Sequence, residues 1–352
     1  MTIEREIWLK MTREEPLEPD LPICDPHHHF WDHPDDFPLE LIRASHRITR
    51  HYLLKNLLED ISGGHNILQT VFMECTSVYR KDGPQELKPI GETEFVRGIA
   101  AQSASGQFGD TNVAAGIIGF ADLTLGSAVA PVLEAQIEAG GGRFRGIRNI
   151  STWDASSEIN SRVSTPTLLS DPKFREGFTC LNKYNLSFDS WLYHTQLTKL
   201  ADLARAFPDT PIILNHIGGP LGIGPYAGKR KQVFREWQQG IAVLATCPNV
   251  VVKLGGIGMP LTGFGWHEQP APPNSIELAK LMAPYVNWCI EQFGVERCMF
   301  ESNFPVDRIS YSYTTVWNTF KRITKDFSTG ERSWLFHDTA VKVYRLKTNS
   351  EG

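Results

Sequence analysis

The chain has 352 residues and a formal net charge of −5, and 41% of its residues are hydrophobic. A chain of this length and composition can form a large core and needs no disulfide or structural metal to fold. Because it has no basic excess to neutralise phosphates, nucleic acid is excluded as the main partner. Its apolar runs are shorter than the roughly 18 residues of a membrane helix, and residues 1–21 lack the apolar core of a signal peptide. We therefore expect a cytoplasmic protein with no membrane contact.

Eight apolar runs bounded by turn residues predict eight β-strands. In chain order they cover residues 23–29, 67–75, 113–120, 144–150, 186–193, 211–216, 250–254 and 298–301. Amphipathic patterns between them predict helices at residues 52–61, 92–104, 128–139, 171–184, 195–207, 232–245, 275–293 and 314–327. An α/β protein with this alternation is predicted to be a (β/α)8 TIM barrel. A doubly wound sheet would show a Gly-rich phosphate turn after the first strand, and histidines occupy that place.

The rest of the chain is expected to decorate this barrel. Residues 1–22 form an N-terminal arm, residues 23–346 form a single barrel with an extra C-terminal helix at 331–344, and residues 347–352 form a tail. Two long loops are predicted, at residues 218–231 after strand six and at residues 255–274 after strand seven. Loops of this length are usually functional lids or disordered. The second contains His267, a candidate substrate contact.

Four histidines are predicted at the carboxyl ends of strands, where barrel enzymes build their active sites. They are His27, His29, His194 and His216. Because residues i and i+2 of a strand point to the same side, His27 and His29 can both face the barrel interior, while His28 faces the helices. Imidazole is a common zinc ligand. The pattern therefore predicts a shared site in which these four histidines bind one divalent cation, zinc first, and a metal-independent site is the alternative.

Charged residues in the apolar strands allow two interpretations, because such residues are seldom buried unless paired. In the first, Glu74 forms an internal ion pair with Lys253, Arg145 or Arg148. In the second, these side chains bind substrate, together with Tyr79 at the rim. Arg145 and Arg148 are three positions apart and face opposite sides of a regular strand. Arg148, nearer the active-site end, is therefore the preferred clamp for a substrate carboxylate.

Several motifs resemble those of the amidohydrolase-related branch of the amidohydrolase superfamily, which includes sugar-acid lactonases and 2-pyrone-4,6-dicarboxylate lactonase. The opening DPHHHFWD at residues 25–32 resembles the family's D-x-H-x-H-F-W. The other matching segments are FRGIR at 144–148, LYH at 192–194, NHIGGP at 215–220, FESNFP at 300–305 and FHDTA at 336–340. The resemblance spans residues 24–346.

This resemblance implies hydrolysis of a small lactone to a hydroxy acid by attack of water. Some members of the branch use zinc and several lactonases need no metal. A similar branch contains zinc-dependent decarboxylases, so decarboxylation is an alternative function, and a non-catalytic binding protein is a second one. The expected partner is a small, carboxylated substrate, and a homo-oligomer stays open.

One departure from the family pattern concerns the general base. Asn303 aligns with the family's strand-eight Asp, which activates water and in some members binds metal. Asn215 likewise replaces an Asp in the strand-six motif. An amide cannot accept a proton near neutral pH and is a poor ligand for a hard cation. We therefore predict that the base is Glu301, on the same strand face as Asn303, or Asp307, above the barrel rim; alternatively, Glu301 is a buried partner of Lys253 or an arginine.

Overall fold

Eight parallel strands form one sheet in chain order, as the sequence predicts. The computed structural model describes residues 3–34 and 49–347. The strands are β1 (Ile23–His28), β2 (Ile67–Met73), β3 (Asn112–Gly119), β4 (Phe144–Ile150), β5 (Ser187–Trp191), β6 (Ile212–Leu214), β7 (Val250–Leu254) and β8 (Cys298–Phe300). The chain after β8 returns to β1, where the Asn303 amide donates to the His27 carbonyl at 3.0 Å and His29 donates to Phe304 at 2.8 Å. The sheet is thus a nearly closed barrel, and the (β/α)8 prediction is confirmed.

Helices surround the barrel. They are α1 (Ile3–Leu9), α2 (Leu54–Ile61), α3 (Ile90–Ala104), α4 (Ala130–Ala139), α5 (Pro172–Lys183), α6 (Leu197–Ala206), α7 (Arg230–Ala245), α8 (Ser275–Phe293), α9 (Tyr313–Ile323), α10 (Thr329–Ser333) and α11 (Thr339–Val343). Within residues 3–34 and 49–347, no helix has the length and apolar character needed to cross a membrane.

One C-terminal helix departs from the prediction and the other agrees with it. The helix predicted at 314–327 ends at Ile323, whereas the helix predicted at 331–344 is present as the uninterrupted run of α10, a π-helical turn at Trp334–Asp338, and α11. Ser328 starts α10 because its side chain accepts from the Glu331 amide at 3.3 Å while the Glu331 carboxylate accepts from the Ser328 amide at 2.8 Å. This reciprocal cap fixes a new helix start. The short tail beyond residue 347 lies outside the described residues.

The lower end of the barrel is sealed by the C-terminal segment. Tyr344 and Leu346 pack among buried apolar side chains inside the barrel. One oxygen of Asp189 accepts hydrogen bonds from Lys253 Nζ at 2.9 Å, from the Tyr344 hydroxyl at 2.8 Å and from Asn215 Nδ2 at 2.8 Å. A buried charge requires such pairing, so this network pairs the charged groups beneath the active-site end through Asp189 Oδ1, while Oδ2 has no hydrogen-bond partner among the described residues.

The two long loops contact each other above the barrel. Loop six (residues 215–229) follows β6, and loop seven (residues 255–274) follows β7; the Gly222 amide donates to the Leu261 carbonyl at 2.8 Å. The N-terminal arm fastens loop seven from outside. Its hydrogen bonds run from Arg5 to the His267 carbonyl at 3.2 Å, from Trp8 to Gln269 at 2.8 Å and from Thr12 to Pro272 at 2.7 Å.

Candidate active site

Three imidazoles and one carboxylate meet at the carboxyl ends of β1, β6 and β8. We call His27, His29, His216 and Glu301 the histidine–glutamate cluster; all four are buried. Glu301 Oε1 accepts from His216 Nδ1 at 2.7 Å and from the His216 amide at 3.1 Å. Its Oε2 lies 2.6 Å from His27 Nδ1, a close contact without the alignment of a hydrogen bond. One carboxylate therefore bridges two histidines.

The neighbours of these rings define where their protons lie. His29 Nδ1 is 2.8 Å from the Met73 carbonyl, which can only accept, so Nδ1 carries the hydrogen and Nε2 is an acceptor. Arg148 Nη1, which can only donate, lies 3.3 Å from His27 Nε2, so the His27 hydrogen is on Nδ1, facing Glu301. Burial lowers the pKa of both His27 and His216. The rings are therefore neutral near pH 7, and Glu301 orients two of them.

The donor atoms of this cluster fit a divalent cation. His27 Nε2 and His29 Nε2, both acceptors, are 3.2 Å apart. Two nitrogens that each lie about 2.1 Å from one zinc ion at a tetrahedral angle are about 3.4 Å apart. His27, His216 and Glu301 also offer ligand atoms within 4.8 Å of one another, and two histidines with one glutamate form a known catalytic zinc set. With both Nδ1 hydrogens facing it, Glu301 is better suited to orienting the ligand histidines than to binding the ion.

His194 follows the carboxyl end of β5, as predicted, but its ring contacts loop six and α7 rather than the cluster. The Leu221 amide donates to its Nδ1 at 3.4 Å, its ring packs edge-on against Tyr226, and its Nε2 lies 4.0 Å from Glu236. These contacts belong to loop six and α7, because the chain turns after β5 into the short 3-10 helix that His194 begins. The His/His/Glu group found in the structure therefore differs from the predicted set of four histidines.

Asp307 also lies elsewhere than predicted. It is fully buried under loop seven rather than above the rim. Its Oδ2 accepts from the Gly258 amide at 2.9 Å and the Tyr311 hydroxyl at 2.6 Å, and its Oδ1 accepts from Asn303 Nδ2 at 2.8 Å. Burial raises the pKa of Asp307 to about 7. With both oxygens engaged, Asp307 positions the Asn303 amide, whose buried Oδ1 has no hydrogen-bond partner within the described ranges.

Arg148 is committed to protein groups rather than to a substrate carboxylate. Its Nε donates to Glu74 Oε1 at 3.0 Å, its Nη2 donates to the Glu74 carbonyl, and its Nη1 faces His27. The internal ion-pair interpretation of Glu74 is confirmed, and the clamp predicted for Arg148 has no support. Arg145 lies at the opposite end of β4, where it donates to the carbonyls of Gly142 and Phe144 at 2.8 and 3.1 Å.

The other predicted substrate contacts are dispersed. Lys253 is fully buried beneath the cluster and paired with Asp189, so its predicted contact with substrate is replaced by a structural ion pair. His267 lies beside Glu268, with its carbonyl held by the arm. Tyr79 and Glu74 do line a cavity above β2–β4.

Two adjoining cavities open at the carboxyl face. The apolar cavity has a volume of about 470 Å³ and lies between the ends of β4 and β5 and the loops after β4, β6, β7 and β8. The polar cavity, of about 430 Å³, lies over β2–β4 and contains Glu74, Asp122 and Asn149. Both include Ile150 and Arg162. Trp191, in the wall of the apolar cavity, packs edge-on against His216 with ring centres 4.6 Å apart. A larger groove of about 760 Å³ lies between α7 and α8. The cluster residues line none of these three cavities, and Trp191 is a wall residue that contacts the cluster.

Two glycines that the sequence analysis missed make room for the cluster. A Cβ at Gly255 would lie 2.4 Å from Glu301 Cγ, and one at Gly256, whose φ is +67°, would lie 2.2 Å from His216 Nδ1. The Gly-Gly pair at the end of a predicted strand was the available signal, because such a pair permits a close approach of backbone to a neighbouring group.

Gly256→Ala is therefore expected to lower the free energy of unfolding by about 3 kcal/mol, since it adds backbone strain to a collision with a buried ring. Chemical denaturation measures this value. The matched control is Gly98→Ala in α3, where the added methyl meets no heavy atom within 4 Å among the described residues, apart from its chain neighbours and the backbone of its own helix. The control should stabilise the protein by about 0.5 to 1 kcal/mol. Equal effects of the two variants would contradict the packing described for Gly256.

Glu92, in the first turn of α3 and next to the chain that follows β2, provides a pH-dependent test of this region. It accepts from the amides of Cys75 at 3.0 Å and Ser77 at 2.7 Å, and burial, followed by the charge of Glu74, raises its pKa to about 8 from 4.5. The folded state then holds more protons than the unfolded state between these values. The contribution of Glu92 to the free energy of unfolding should thus fall with rising pH, by at most about 1.4 kcal/mol per unit.

The E92Q variant lacks this titration. The free energy of unfolding of the wild type, relative to E92Q, should decrease from about pH 5 to about pH 8 and then level off. Denaturation curves of both proteins over this range measure the difference. A difference that is constant with pH would show that Glu92 is ionised in the folded protein.

The chain is a (β/α)8 barrel with the histidine–glutamate cluster at its mouth, and the family match makes it a hydrolase. Residues 24–346 match the model of the family described as Amidohydrolase, and the chain belongs to this family. The uncharacterised protein y4mH of Sinorhizobium fredii is 34% identical over 93% of this chain and 99% of its own length. An L-fucono-1,5-lactonase of Burkholderia ambifaria is 26% identical over 66% of this chain and 73% of its own. The crystal structure of a Burkholderia multivorans amidohydrolase with bound zinc has a TM-score of 0.70 at 22% identity, over 92% and 99% of the two chains.

Proposed function

We propose that this hydrolase opens a lactone to a hydroxy acid by attack of water on the carbonyl carbon. The observation that carries the proposal is the Glu301 carboxylate bridging His27 and His216 at the barrel mouth. The lactonase names of related proteins support this bond type. The carboxylate predicted on the substrate is not part of the proposal, since Arg148 is paired with Glu74.

His216 is the proposed general base. Its Nδ1 donates to Glu301 at 2.7 Å, so the remaining Nε2 is its basic nitrogen. Nε2 accepts a proton from the attacking water, and Glu301 stabilises the imidazolium that forms. The carbon–oxygen bond of the ring then breaks, and the imidazolium returns the proton to the leaving alkoxide oxygen. Asn303 Oδ1, held by Asp307, offers an acceptor for the second hydrogen of the water.

His27 and His29 are proposed to hold one divalent cation through their Nε2 atoms, and zinc is the first choice for imidazole ligands. When bound, this ion supplies Lewis acidity towards the carbonyl oxygen. Because His27 Nε2 has a single lone pair, the contact of Arg148 Nη1 with this nitrogen at 3.3 Å would give way to the ion. The guanidinium, which is also paired with Glu74, would still favour negative charge that develops nearby.

The test is a panel of lactones and of small unsaturated and aromatic carboxylic acids, with two readouts. Hydrolysis releases a proton, which a pH indicator detects, whereas the alternative decarboxylation releases carbon dioxide, which a coupled assay detects. We expect proton release without carbon dioxide, and loss of rate after dialysis against a chelator with recovery on adding zinc. Carbon dioxide release would favour the decarboxylase, and no turnover of any lactone or acid by zinc-loaded protein would favour the binding protein. Full lactonase activity after complete removal of metal would support the proposed lactonase function and contradict the proposed role of the cation.

A further inference from the structure

The wall of the apolar cavity has few polar groups. Apart from Thr152, Asn160, Arg162 and Tyr193, its described lining consists of aliphatic, proline and tryptophan side chains. Leu221 and Met259 are buried in this wall. Of the polar members, Asn160 and Arg162 are exposed at the edge, whereas Thr152 and Tyr193 are buried, and the Tyr193 hydroxyl donates to the Asn160 carbonyl at 2.6 Å. Most of the cavity wall is thus apolar, with the Thr152 hydroxyl as a buried polar group.

The apolar cavity adjoins the cluster through Trp191, since no cluster residue lines the cavity itself. Trp191 contacts the His216 ring, with ring centres 4.6 Å apart, and also belongs to the cavity wall. A lactone whose carbonyl lies at His216 would therefore place its neighbouring substituent against Trp191 and in the apolar cavity. The volume of about 470 Å³ is that of a small-molecule site.

A sugar-acid lactone is poorly suited to this cavity. Each of its hydroxyl groups loses water on binding and needs a protein partner, and a buried hydroxyl without one is costly. An alkyl or aryl substituent requires no such partner and gains from leaving water. The polar cavity next to it, which contains Glu74, Asp122 and Asn149, can hold a polar portion of the same molecule.

We propose that the substrate is an amphipathic lactone with an alkyl or aryl substituent in the apolar cavity. This inference rests on the proposed lactonase function and names its substrate class. It differs from the polyhydroxylated substrates that the lactonase names of the relatives indicate for those proteins.

The experiment compares kcat/KM for three six-membered lactones: δ-valerolactone, δ-nonalactone and D-glucono-1,5-lactone. The four additional methylenes of δ-nonalactone should raise kcat/KM about 100-fold over δ-valerolactone, and the gluconolactone should fall below both. Preference for gluconolactone, or equal rates for the two alkyl compounds, would overturn the inference while leaving the lactonase function intact.

A polar replacement tests the cavity itself. Met259→Gln, which is close in size, should reduce the preference for δ-nonalactone about tenfold because a methylene chain then meets an unpaired amide. The matched control is Met11→Gln, because Met11 is exposed on the N-terminal arm. This variant should keep the wild-type preference for δ-nonalactone. If Met259→Gln keeps the full wild-type preference, the cavity is not the specificity site.

If no lactone is hydrolysed, the lactonase proposal fails. A binding measurement can then still test the inferred ligand class. Calorimetry with δ-valerolactam and its 6-butyl derivative then measures the cavity without turnover. Tighter binding of the butyl compound by wild type, lost in Met259→Gln, would support the inferred ligand class. Equal affinity for both lactams, or no binding of either, would reject it.

Discussion

Glu301→Gln is expected to lower kcat about 1,000-fold, with a small change in KM. The substitution keeps the size of the side chain but removes the negative charge of the carboxylate. This carboxylate accepts the hydrogen bonds of His216 and faces His27 Nδ1. The two rings then lose the group that fixes their tautomers and stabilises a protonated imidazole. Steady-state kinetics on the preferred lactone measure the effect.

The E92Q variant is the matched control for this result. Glu92 is also a buried glutamate near the barrel mouth, but its carboxyl accepts from backbone amides and its pKa of about 8 leaves it largely protonated at neutral pH. Its replacement by an amide should change kcat less than about threefold. If E301Q and E92Q have similar rates, Glu301 is a structural ion-pair partner and the proposed mechanism fails.

His216→Asn is the second large effect, and we expect a decrease in kcat of about 1,000-fold because the proposed base is removed. The kcat of the wild type should stay constant as the pH falls below the ordinary pKa of imidazole, since burial lowers the pKa of His216 and keeps the ring neutral. At still lower pH the kcat of the wild type should decrease as His216 is protonated, and this decrease should be missing in the variant.

His267→Asn provides the comparison for this variant. The His267 side chain lies beside Glu268 on the outer side of loop seven, so its removal should leave kcat within about twofold. A large decrease of kcat in His267→Asn, together with a small decrease in His216→Asn, would show that the reacting group lies in loop seven and not in the barrel interior.

The strands and most helices could be predicted because local signals and the final packing agree. Asp171 before Pro172 predicts a helix start, and the Asp171 side chain does accept from the Phe174 amide at 2.9 Å. The apolar runs of the strands are continuous because parallel strands are covered on both faces. The C-terminal helices were harder, since the break at Ser328 depends on a cap within an otherwise helical pattern.

The cluster was only partly predictable. The spacing of His27 and His29 places both on one strand face, and Glu301 follows from its position two residues before Asn303. The direction of the His194 side chain and the burial of Asp307 depend on how the loops turn back towards the barrel. The periodicity of the strands carries no information about these turns. A positive φ of 54° at His216 and 57° at Asn303 redirects the chain at both strand ends, and single-sequence patterns give no direct sign of it.

The C-terminal seal has a consequence for the order of folding during synthesis. Tyr344, which donates to Asp189 at 2.8 Å inside the barrel, follows all eight strands in the sequence. While the ribosome is still adding the last helices, the lower opening of the barrel is accessible to water, and Lys253 and Asp189 pair in a hydrated environment. Domains generally assemble from the N-terminal side during translation. Here the strands can associate early, but the charged floor is dehydrated only when the segment carrying Tyr344 has emerged.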